Sequence, residues 1–588
     1  MKPKLWYLVI SSLLLSGLRL NAAQKLTLIQ DAKTPYVIML SAEASPSEQR
    51  GAQEIQAYLQ KMSGAQLPII VAGAAALPQR AILVGRGRHL DEIGLQVDWK
   101  ALGEEGFILK TVGENLIIAG SPVRGTMYGC YEFLERLGVR WFTPTVTRAP
   151  HRETVEVPVL DEIQLPAFEY REPFFTEAQD KDWAARNKIN GSAAKLDDST
   201  GGKVTYSHFV HTFDDLIPTK LYETYPEYFP LIGGVRVNGY VQRCLTNPDV
   251  LKLAIEGVLR WIREQPVAMI YSVSQNDTFK WCGCDRCKAL TEKYGAHSGL
   301  YLWFVNQVAE AVEKEHPDKL IDTLAYQFTE APPRGIVPRA NVRVRLCPIS
   351  CCEAHPYQKC RAKQNVAFLA HLRAWSRITD TLYIWHYNIN FHNYLLPFPD
   401  FAEFPAEVRL YKKSGVKGIF FQGDYAPGGG GSDAELRSYV MAKLLWKENL
   451  NSDALVTEWM QGVYGKAWEP MRKWFDLLHR KVRASKRHFY IYSPPTVDYM
   501  SKDVIAAGDK LFNKAEKLSA GDSSEYIAKS RLWLRYAKIA REPRAGPEFE
   551  KFMSEVRKFG ITELREGQSL EAWEKAYRDR AGGNKSSH

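Results

Sequence analysis

An Asn-Asp pair beside a group of cysteines is the part of the sequence with the clearest chemical potential. Asn276 and Asp277 follow the apolar run 269–273, so an amide and a carboxylate stand at the end of a predicted strand. A carboxylate in such a place can donate a proton to a leaving oxygen, and an amide can orient a polar substrate group. We therefore predict that Asp277 is a general acid and that Asn276 positions the substrate. The alternative is that Asp277 caps the turn or helix that follows.

Three cysteines at short spacings, Cys282, Cys284 and Cys287, come directly after this pair. Clustered thiolates are typical zinc ligands, and a zinc ion with four protein ligands is structural. Such a site would brace the loop beside Asp277. The fourth ligand would be a histidine or one of four later cysteines, Cys347, Cys351, Cys352 and Cys360. The competing interpretations are disulfides from the group to the last three of these cysteines, and free thiols.

Polar and aromatic side chains also follow the other apolar runs of the middle region. They are Arg171, His208, His211, Arg243, Tyr326, Gln327, Trp385, His386, Gln422 and Asp424. Glu435 joins them as a candidate, although a carboxylate in the first turn of a helix is ordinarily a partner of the helix dipole. Rings with amides and carboxylates suit a sugar, because its C–H faces stack on aromatic rings and its hydroxyls need directional hydrogen bonds. The 15 Trp and 29 Tyr agree with this interpretation, although any single ring can equally fill a core.

The elements that would carry these residues alternate short apolar strands with longer helices between about Leu165 and Trp446. Eight such units are predicted, beginning with the strand segments 168–175, 208–213, 241–245, 268–274, 321–328, 342–347, 381–387 and 416–422. This rhythm predicts an α/β fold with a central (β/α)8 TIM-like barrel. In such a barrel the active site lies at the carboxyl ends of the strands, where the candidate residues stand.

Composition and patterning divide the 588 residues further. Residues 24–160 alternate strands with helices, which is typical of an α/β sandwich, and after Leu450 the pattern is helical. We predict a signal peptide over residues 1–23, an N-terminal α/β domain over 24–160, a catalytic barrel over 161–450 and a helical C-terminal domain over 451–588.

The first residues and the overall charge bear on location and partners. Lys2 and Lys4 precede the apolar run Leu5–Leu18, and Ala22 and Ala23 end it, which is the pattern of a secretory signal. The mature protein is expected to be secreted or periplasmic, without a membrane span, because no later run reaches the ~20 apolar residues that a span needs. A net charge of +10 without a basic block or a nucleic-acid motif excludes nucleic acid as the expected partner.

Several stretches of the middle region resemble the domain of unknown function 4838, the basis of glycoside hydrolase family 163. They are Ser274–Asp277 leading into the three cysteines, Thr323–Gln327, Gly415–Ile419 with Gln422-Gly423, and Glu435–Arg437 through Leu444–Trp446. The resemblance covers roughly residues 168–465. It implies endo-β-N-acetylglucosaminidase action on N-glycans.

Residues 24–155 resemble the N-terminal domain shared by family 67 α-glucuronidases and family 20 β-hexosaminidases, chiefly through Gly125–Phe142. In family 20 an Asp-Glu pair at the fourth strand end orients the acetamido group and supplies the acid, and Asn276 and Asp277 are similar to that pair by position. Two positions depart from the pattern of the middle-region family. Phe421 stands where Glu is common, and His386 stands where Asp is common.

These observations together predict an exported glycoside hydrolase with a glycan as its partner. The predicted mechanism is retaining and substrate-assisted, in which the acetamido group of a β-N-acetylglucosaminide is the nucleophile, Asp277 is the acid and Asn276 orients the amide. No cofactor is required for this catalysis, and zinc would be structural. One alternative is an exo-acting α-glucuronidase with Arg171 or Arg243 binding the uronate carboxylate. The other, suggested by Phe421 and His386, is a carbohydrate-binding protein without catalysis.

Overall fold

The computed structural model describes residues 25–73 and 77–582. The predicted signal peptide, residues 1–23, lies outside the described residues. Within them, none of the helices combines the length and the apolar character that crossing a bilayer would require.

The N-terminal part is an α/β unit built on a six-stranded mixed sheet. Its strands are β1 (Lys25–Ile29), β2 (Val37–Leu40), β3 (Ile69–Val71), β4 (Ala81–Val84), β5 (Phe107–Val112), β6 (Asn115–Gly120), β7 (Arg140–Trp141), β8 (Thr147–Arg148), β9 (Val155–Pro158) and β10 (Asp161–Gln164), and its helices are α1 (Pro46–Ser63), α2 (Arg88–Glu92) and α3 (Gly125–Arg136). The sheet has the order β10-β5-β6-β4-β2-β3, while β1 pairs with β9 and β7 with β8.

Local sequence explains the main helix of this unit. Ser45 and Glu48 form a capping box at the start of α1, and Gly64, with φ of 81°, ends it. A methyl group added at Gly51 would lie 2.8 Å from Cys130 Sγ, so only glycine lets α1 approach α3 this closely. The predicted N-terminal α/β unit is therefore present.

The middle part contains a seven-stranded parallel sheet with helices between its strands. The strands of this part are β11 (Tyr170–Phe174), β12 (Tyr206–Ser207), β13 (Leu231–Ile232), β14 (Val235–Arg236), β15 (Ile270–Ser272), β16 (Leu320–Ala325), β17 (Val342–Leu346), β18 (Leu382–Tyr387) and β19 (Gly418–Gln422). Its helices are α4 (Lys181–Arg186), α5 (Phe213–Leu216), α6 (Pro248–Glu264), α7 (Asp285–Tyr294), α8 (His297–Glu315), α9 (Lys363–Trp375), α10 (Phe404–Lys413) and α11 (Ala434–Trp446). The sheet order is β11-β19-β18-β17-β16-β15-β12, which confirms the predicted α/β barrel-like class.

The strand count differs from the predicted eight. The segment 241–245 is not a strand, and β12 pairs directly with β15. The side-chain amide of Gln242 donates to the carbonyls of Asn276 and Thr278 and accepts from the Asn276 amide, so a side chain replaces the backbone ladder here. The predicted second segment, 208–213, is not a strand either. The observed strand β12 ends before it at Ser207, because His208 has a φ of 53°, which no strand accommodates.

The C-terminal part is helical, as predicted, with one small hairpin. Its elements are α12 (Ser452–Tyr464), α13 (Trp468–Ala484), α14 (Lys502–Leu518), α15 (Asp522–Arg541), α16 (Pro547–Lys558), β20 (Glu563–Arg565), β21 (Gln568–Ser569) and α17 (Leu570–Ala581). The hairpin β20–β21 was not predicted. Its turn reaches the carboxyl ends of the barrel strands, as the hydrogen bonds of Glu566 show below.

Candidate active site

A cavity of about 330 Å³ lies at the carboxyl ends of the barrel strands. Its lining combines two carboxylates with aromatic, amide and small apolar side chains: Val210, His211, Asp277, Leu324, Tyr326, Cys347, Ile349, Trp385, Tyr387, Phe391, Gln422, Tyr425, Tyr492 and Glu566. The place is the one that the barrel architecture predicts for an active site. Five of the predicted site residues are brought together here, namely Asp277, His211, Tyr326, Trp385 and Gln422.

Asp277 sits in a loop after β15 and is exposed to solvent at the cavity. Its Oδ1 accepts hydrogen bonds from Tyr326 Oη at 3.1 Å and from Gln327 Nε2 at 3.3 Å. Burial and the neighbouring Asp277 charge raise the pKa of Tyr326, so its phenol stays protonated and acts as a donor. Gln327 has a φ of 52°, an unusual conformation for a residue other than glycine. This strained backbone lies beside the candidate carboxylate, Asp277.

Glu566, at the turn of β20–β21, is a second carboxylate that the sequence analysis missed. Its Oε1 accepts from Gln422 Nε2 at 3.0 Å and from Tyr425 Oη at 3.1 Å. Burial, joined by the charges of Glu563 and Asp277, raises the pKa of Glu566 above its ordinary value. The only local signal was the Glu566-Gly567 turn between two short strands, and nothing in that pattern says that the turn reaches the barrel.

A chain of hydrogen bonds orients Glu566 from inside the barrel. Trp385 Nε1 donates to Gln422 Oε1 at 2.9 Å, which leaves the Gln422 amino group to donate to Glu566. Trp385 is held in turn by Arg345, whose guanidinium lies 5.0 Å from its ring centre and pairs with buried Asp322 at 2.6 Å. The Trp385 ring that lines the cavity is thus supported by a buried ion pair, which favours a fixed geometry.

Strand alternation explains why His386, a predicted site residue, and Phe421 do not reach the cavity. Trp385 and Tyr387 on β18 line it, whereas His386 between them is fully buried on the other face of the strand. Burial lowers the pKa of His386 to about 3, and its Nδ1 is bonded to Tyr411 Oη at 2.8 Å. Phe421 on β19 packs edge-on against His386 in the same buried layer. The two departures from the family pattern therefore lie outside the cavity.

The predicted role of Asn276 needs correction, because its side chain is buried away from the cavity. Its Nδ2 donates to Asp214 Oδ1 at 2.6 Å and to the Val241 carbonyl at 2.8 Å. The residue has no exposed surface and does not line the cavity. Asn276 therefore holds the segment that precedes Asp277 and is not placed to orient a substrate amide.

The two predicted arginines are also placed elsewhere. Arg171 is fully buried and pairs with Glu105 of the N-terminal part at 2.6 Å. Arg243 is fully buried, pairs with Asp214 at 2.7 Å and donates to the Ile217 carbonyl. Both guanidiniums are occupied by the protein itself, so neither is available to bind a substrate carboxylate.

Three further candidates also lie outside the cavity. His208 stacks on Trp261 with 3.8 Å between ring centres. Asp424 is buried, accepts from the Ala426 amide at 3.1 Å and has a pKa raised by burial and by Glu177. Glu435 accepts from Lys529 of α15 at 2.8 Å, which joins the barrel to the C-terminal helices. Each has a structural partner that accounts for it.

We expect Arg171→Met to lower stability without weakening substrate binding. Removing one partner of a buried ion pair leaves the other charge uncompensated, which costs ~3 kcal/mol or more. Urea unfolding would measure this loss, with Arg136→Met as the control, because Arg136 pairs with Glu162 on the surface and such pairs contribute ~1 kcal/mol or less. A raised KM with unchanged stability would show that Arg171 binds the substrate after all.

A group of four cysteines lies beside the Asp277 loop. Cys244, Cys282, Cys284 and Cys287 bring their sulfur atoms within 4.8 Å of one another. Cys244 Sγ is 3.7 Å from Cys284 Sγ and 4.0 Å from Cys287 Sγ, close to the ~3.8 Å expected for two thiolates on one tetrahedral zinc ion. The donor set fits zinc. The fourth member is Cys244, near the end of the predicted third strand. The predicted fourth ligands, a histidine or one of Cys347, Cys351, Cys352 and Cys360, are not part of this group.

The disulfide interpretation is wrong for the described structure. All nine cysteines lie in the described residues and all are free. Cys352 and Cys360 belong to a separate group with His355 and His488. They are therefore not placed to form disulfides with Cys282, Cys284 or Cys287.

Comparison with known proteins agrees with the architecture. A family model described as domain of unknown function (DUF4838) matches residues 141–476, more than half of the chain. A model described as glycosyl hydrolase family 67 N-terminus matches residues 19–133. No curated protein matches the sequence.

Solved structures of glycosidases are similar to this chain at low identity. The chain is similar to a family GH115 4-O-methyl-α-glucuronidase with specificity for decorated arabinogalactans, at 14% identity and a TM-score of 0.57, over 91% of this chain and 76% of the other. It also matches a family 89 glycoside hydrolase from Clostridium perfringens, at 12% identity and a TM-score of 0.45, over 88% of this chain and 66% of the other. A third match is the Streptomyces plicatus N-acetyl-β-hexosaminidase, at 11% identity and a TM-score of 0.40, over 74% of this chain and 92% of the other.

The match to the GH115 structure shows a shared fold, and the match to the glycosyl hydrolase family 67 N-terminus agrees with the predicted enzyme class, a glycosidase. The sugar and the linkage stay open. The match to the family 67 N-terminal domain agrees with the resemblance found in the sequence. The match over residues 141–476 contains the whole parallel sheet and the Asp277 loop. The chain therefore belongs to the family defined by the domain of unknown function 4838.

Proposed function

We propose that this protein hydrolyses a β-N-acetylglucosaminide, with Glu566 as the proton donor and Asp277 as the ionised carboxylate. The observation that carries the proposal is the presence of two carboxylates in one aromatic cavity at the carboxyl ends of the barrel strands. Asp277 follows β15, whereas Glu566 is bonded to Gln422 at the end of β19. Three strands separate β15 from β19 in the sheet, so the carboxylates approach the cavity from different sides.

The environments of the two groups favour this division of roles. A general acid must be protonated at the working pH, and burial raises the pKa of Glu566 in that direction. Asp277 is exposed and receives two hydrogen bonds on Oδ1, which stabilise negative charge there. An ionised carboxylate can orient an acetamido N–H and stabilise the cation that forms at the anomeric carbon. This assignment replaces the acid role that the sequence alone suggested for Asp277.

The shape and lining of the cavity support a sugar as substrate. Its volume is near the lower end of the ~300 to 1,000 Å³ range of ligand pockets, so one sugar ring would fill much of it. Tyr425 and Tyr492 are 38% and 46% exposed, and their rings offer stacking surfaces for sugar units outside the cavity. These rings support the proposal of endo action on an N-glycan.

The α-glucuronidase alternative receives less support from the cavity. A uronate carboxylate needs a basic partner, and no arginine or lysine is among the described residues that line the cavity. The two arginines named for this role are bonded to Glu105 and Asp214. A binding protein without catalysis is also disfavoured, because Phe421 and His386 lie outside the cavity.

The proposal is tested by incubating the purified protein with an N-glycoprotein, N-acetylglucosaminides and a glucuronoxylan, and measuring product masses. Release of a glycan that leaves one N-acetylglucosamine on the protein would support endo action, and retention of the β-anomer in the first product by NMR would support the retaining mechanism. Release of uronic acid would establish the α-glucuronidase. Glycan binding without any product would establish a binding protein.

Two further parts of the proposal concern location and metal. The Lys2 and Lys4 pattern before an apolar run supports export to the cell exterior or periplasm. The four-cysteine group supports a structural zinc ion that braces the Asp277 loop, since Cys282 follows Asp277 closely in the chain. Glycoside hydrolysis by two carboxylates needs no cofactor.

A further inference from the structure

We infer that Cys352, His355, Cys360 and His488 form a second zinc site, which fastens the C-terminal part to the rim of the barrel. One ligand atom from each of the four residues lies within 4.8 Å of the other three. Two cysteines and two histidines are a usual donor set for structural zinc. The inference does not depend on the proposed hydrolysis.

The distances between the ligand atoms match a tetrahedral ion. His488 Nδ1 is 3.2 Å from Cys352 Sγ and 3.6 Å from Cys360 Sγ, and His355 Nδ1 is 3.8 Å from Cys352 Sγ. Zinc bonds of ~2.3 Å to sulfur and ~2.0 Å to nitrogen place S and N ligands of one ion ~3.5 Å apart. Thiolate ligands exclude magnesium and calcium, which prefer oxygen.

Neighbouring backbone groups orient two of these ligands. His355 Nε2 lies 3.4 Å from the Ser485 carbonyl, so its Nδ1 is directed at the other three ligands. The Ala354 amide donates to Cys352 Sγ at 3.3 Å, which stabilises a thiolate. The site therefore has the outer partners that metal-binding histidines and cysteines usually have.

The four ligands join two distant segments of the chain. Cys352, His355 and Cys360 come from the loop between β17 and α9, whereas His488 follows α13 of the C-terminal part. Beside the site, the Glu353 amide donates to the Phe489 carbonyl at 3.0 Å. A zinc ion at this point would fix residues 485–493 against the barrel.

The fixed segment leads directly to the cavity. The Phe391 amide donates to the Ile491 carbonyl at 2.8 Å, and Asn390 Nδ2 donates to the Ser493 carbonyl at 2.7 Å. Tyr492, between these two contacts, lines the cavity. The zinc ion would thus act as a positioning element for Tyr492 without contacting substrate.

Metal analysis of the full chain tests the inference. Elemental analysis and native mass spectrometry of the wild type should find two zinc ions per chain, one at each ligand group. His488 is exposed, so its replacement removes a ligand without leaving a cavity in the core: His488→Ala should retain one zinc ion and His488→Cys should retain two. Cys351→Ser is the matched control, because Cys351 is buried beside Cys352 but is not a ligand, and it should retain two.

The rate of trypsin cleavage measures how firmly residues 485–493 are held against the barrel. Lys486 and Arg487 are exposed next to His488, and cleavage after them should become faster in His488→Ala and remain slow in His488→Cys. Two zinc ions retained by His488→Ala would overturn the inference. A wild type with a single zinc ion that is lost in Cys284→Ser would also overturn the inference. A wild type without any zinc ion would overturn it as well.

Discussion

Replacing Asp277 by Asn should lower the turnover number by ~10²-fold or more. The change keeps the shape of the side chain and an oxygen that can accept from Tyr326 and Gln327. It removes the negative charge that would orient the acetamido group and stabilise the cationic anomeric carbon. Because this charge is needed whatever the leaving group, the loss should be similar for an aryl N-acetylglucosaminide and for a glycan.

Steady-state kinetics on both substrates would measure this effect. The control is Asp318→Asn, a carboxylate that is 69% exposed in the turn before β16 and pairs only with Lys319. We expect the control to retain wild-type turnover. Wild-type turnover in Asp277→Asn itself would remove Asp277 from the mechanism and leave it a role in the loop structure.

Replacing Glu566 by Gln should lower turnover on a natural glycan by ~10²-fold or more and much less on a substrate with a good leaving group. Gln keeps the side-chain length and an oxygen that can accept from Gln422 and Tyr425, so the hairpin should stay in place. It cannot give a proton to the leaving oxygen. An activated aryloxide leaves without that proton, which separates this variant from Asp277→Asn.

The pH profile gives an independent check on Glu566. Burial raises the pKa of this group, and only its protonated form is a proton donor. Activity of the wild type should therefore fall as the pH rises through the raised pKa, and that alkaline limb should disappear in Glu566→Gln. Glu571→Gln, an exposed carboxylate in the same part of the chain, should keep the wild-type profile. An unchanged limb in Glu566→Gln would assign the acid to another group.

Much of the architecture was predictable because it depends on local patterns. Apolar runs followed by amphipathic helices account for most of the sheet, and six of the eight predicted segments contain a strand. Of the other two, 208–213 begins just after β12, and 241–245 is held by the side chain of Gln242 where a backbone ladder was expected. Propensity and periodicity describe backbone pairing, and they cannot anticipate that a side chain takes the place of a neighbouring strand.

The candidate site was predictable only in part. Asp277 and Tyr326 follow their strands, Trp385 and Gln422 lie in the last residues of theirs, and the barrel rule alone places these positions at the correct end of the sheet. Arg171 is instead the second residue of β11, away from the carboxyl end of that strand, and it pairs with Glu105 of another part of the chain. Whether a charged side chain is free depends on its partners in space, which spacing along the chain does not reveal.

The sequence by itself determined the barrel-like class, the carboxylate after β15 and the cysteine spacing, because each follows from residues close together in the chain. Only the tertiary structure decided that Glu566 completes the cavity, that Cys244 joins the three clustered cysteines and that His488 joins Cys352, His355 and Cys360. These three residues come from segments remote from their partners. Packing of whole elements brings them together, and no local pattern encodes that packing.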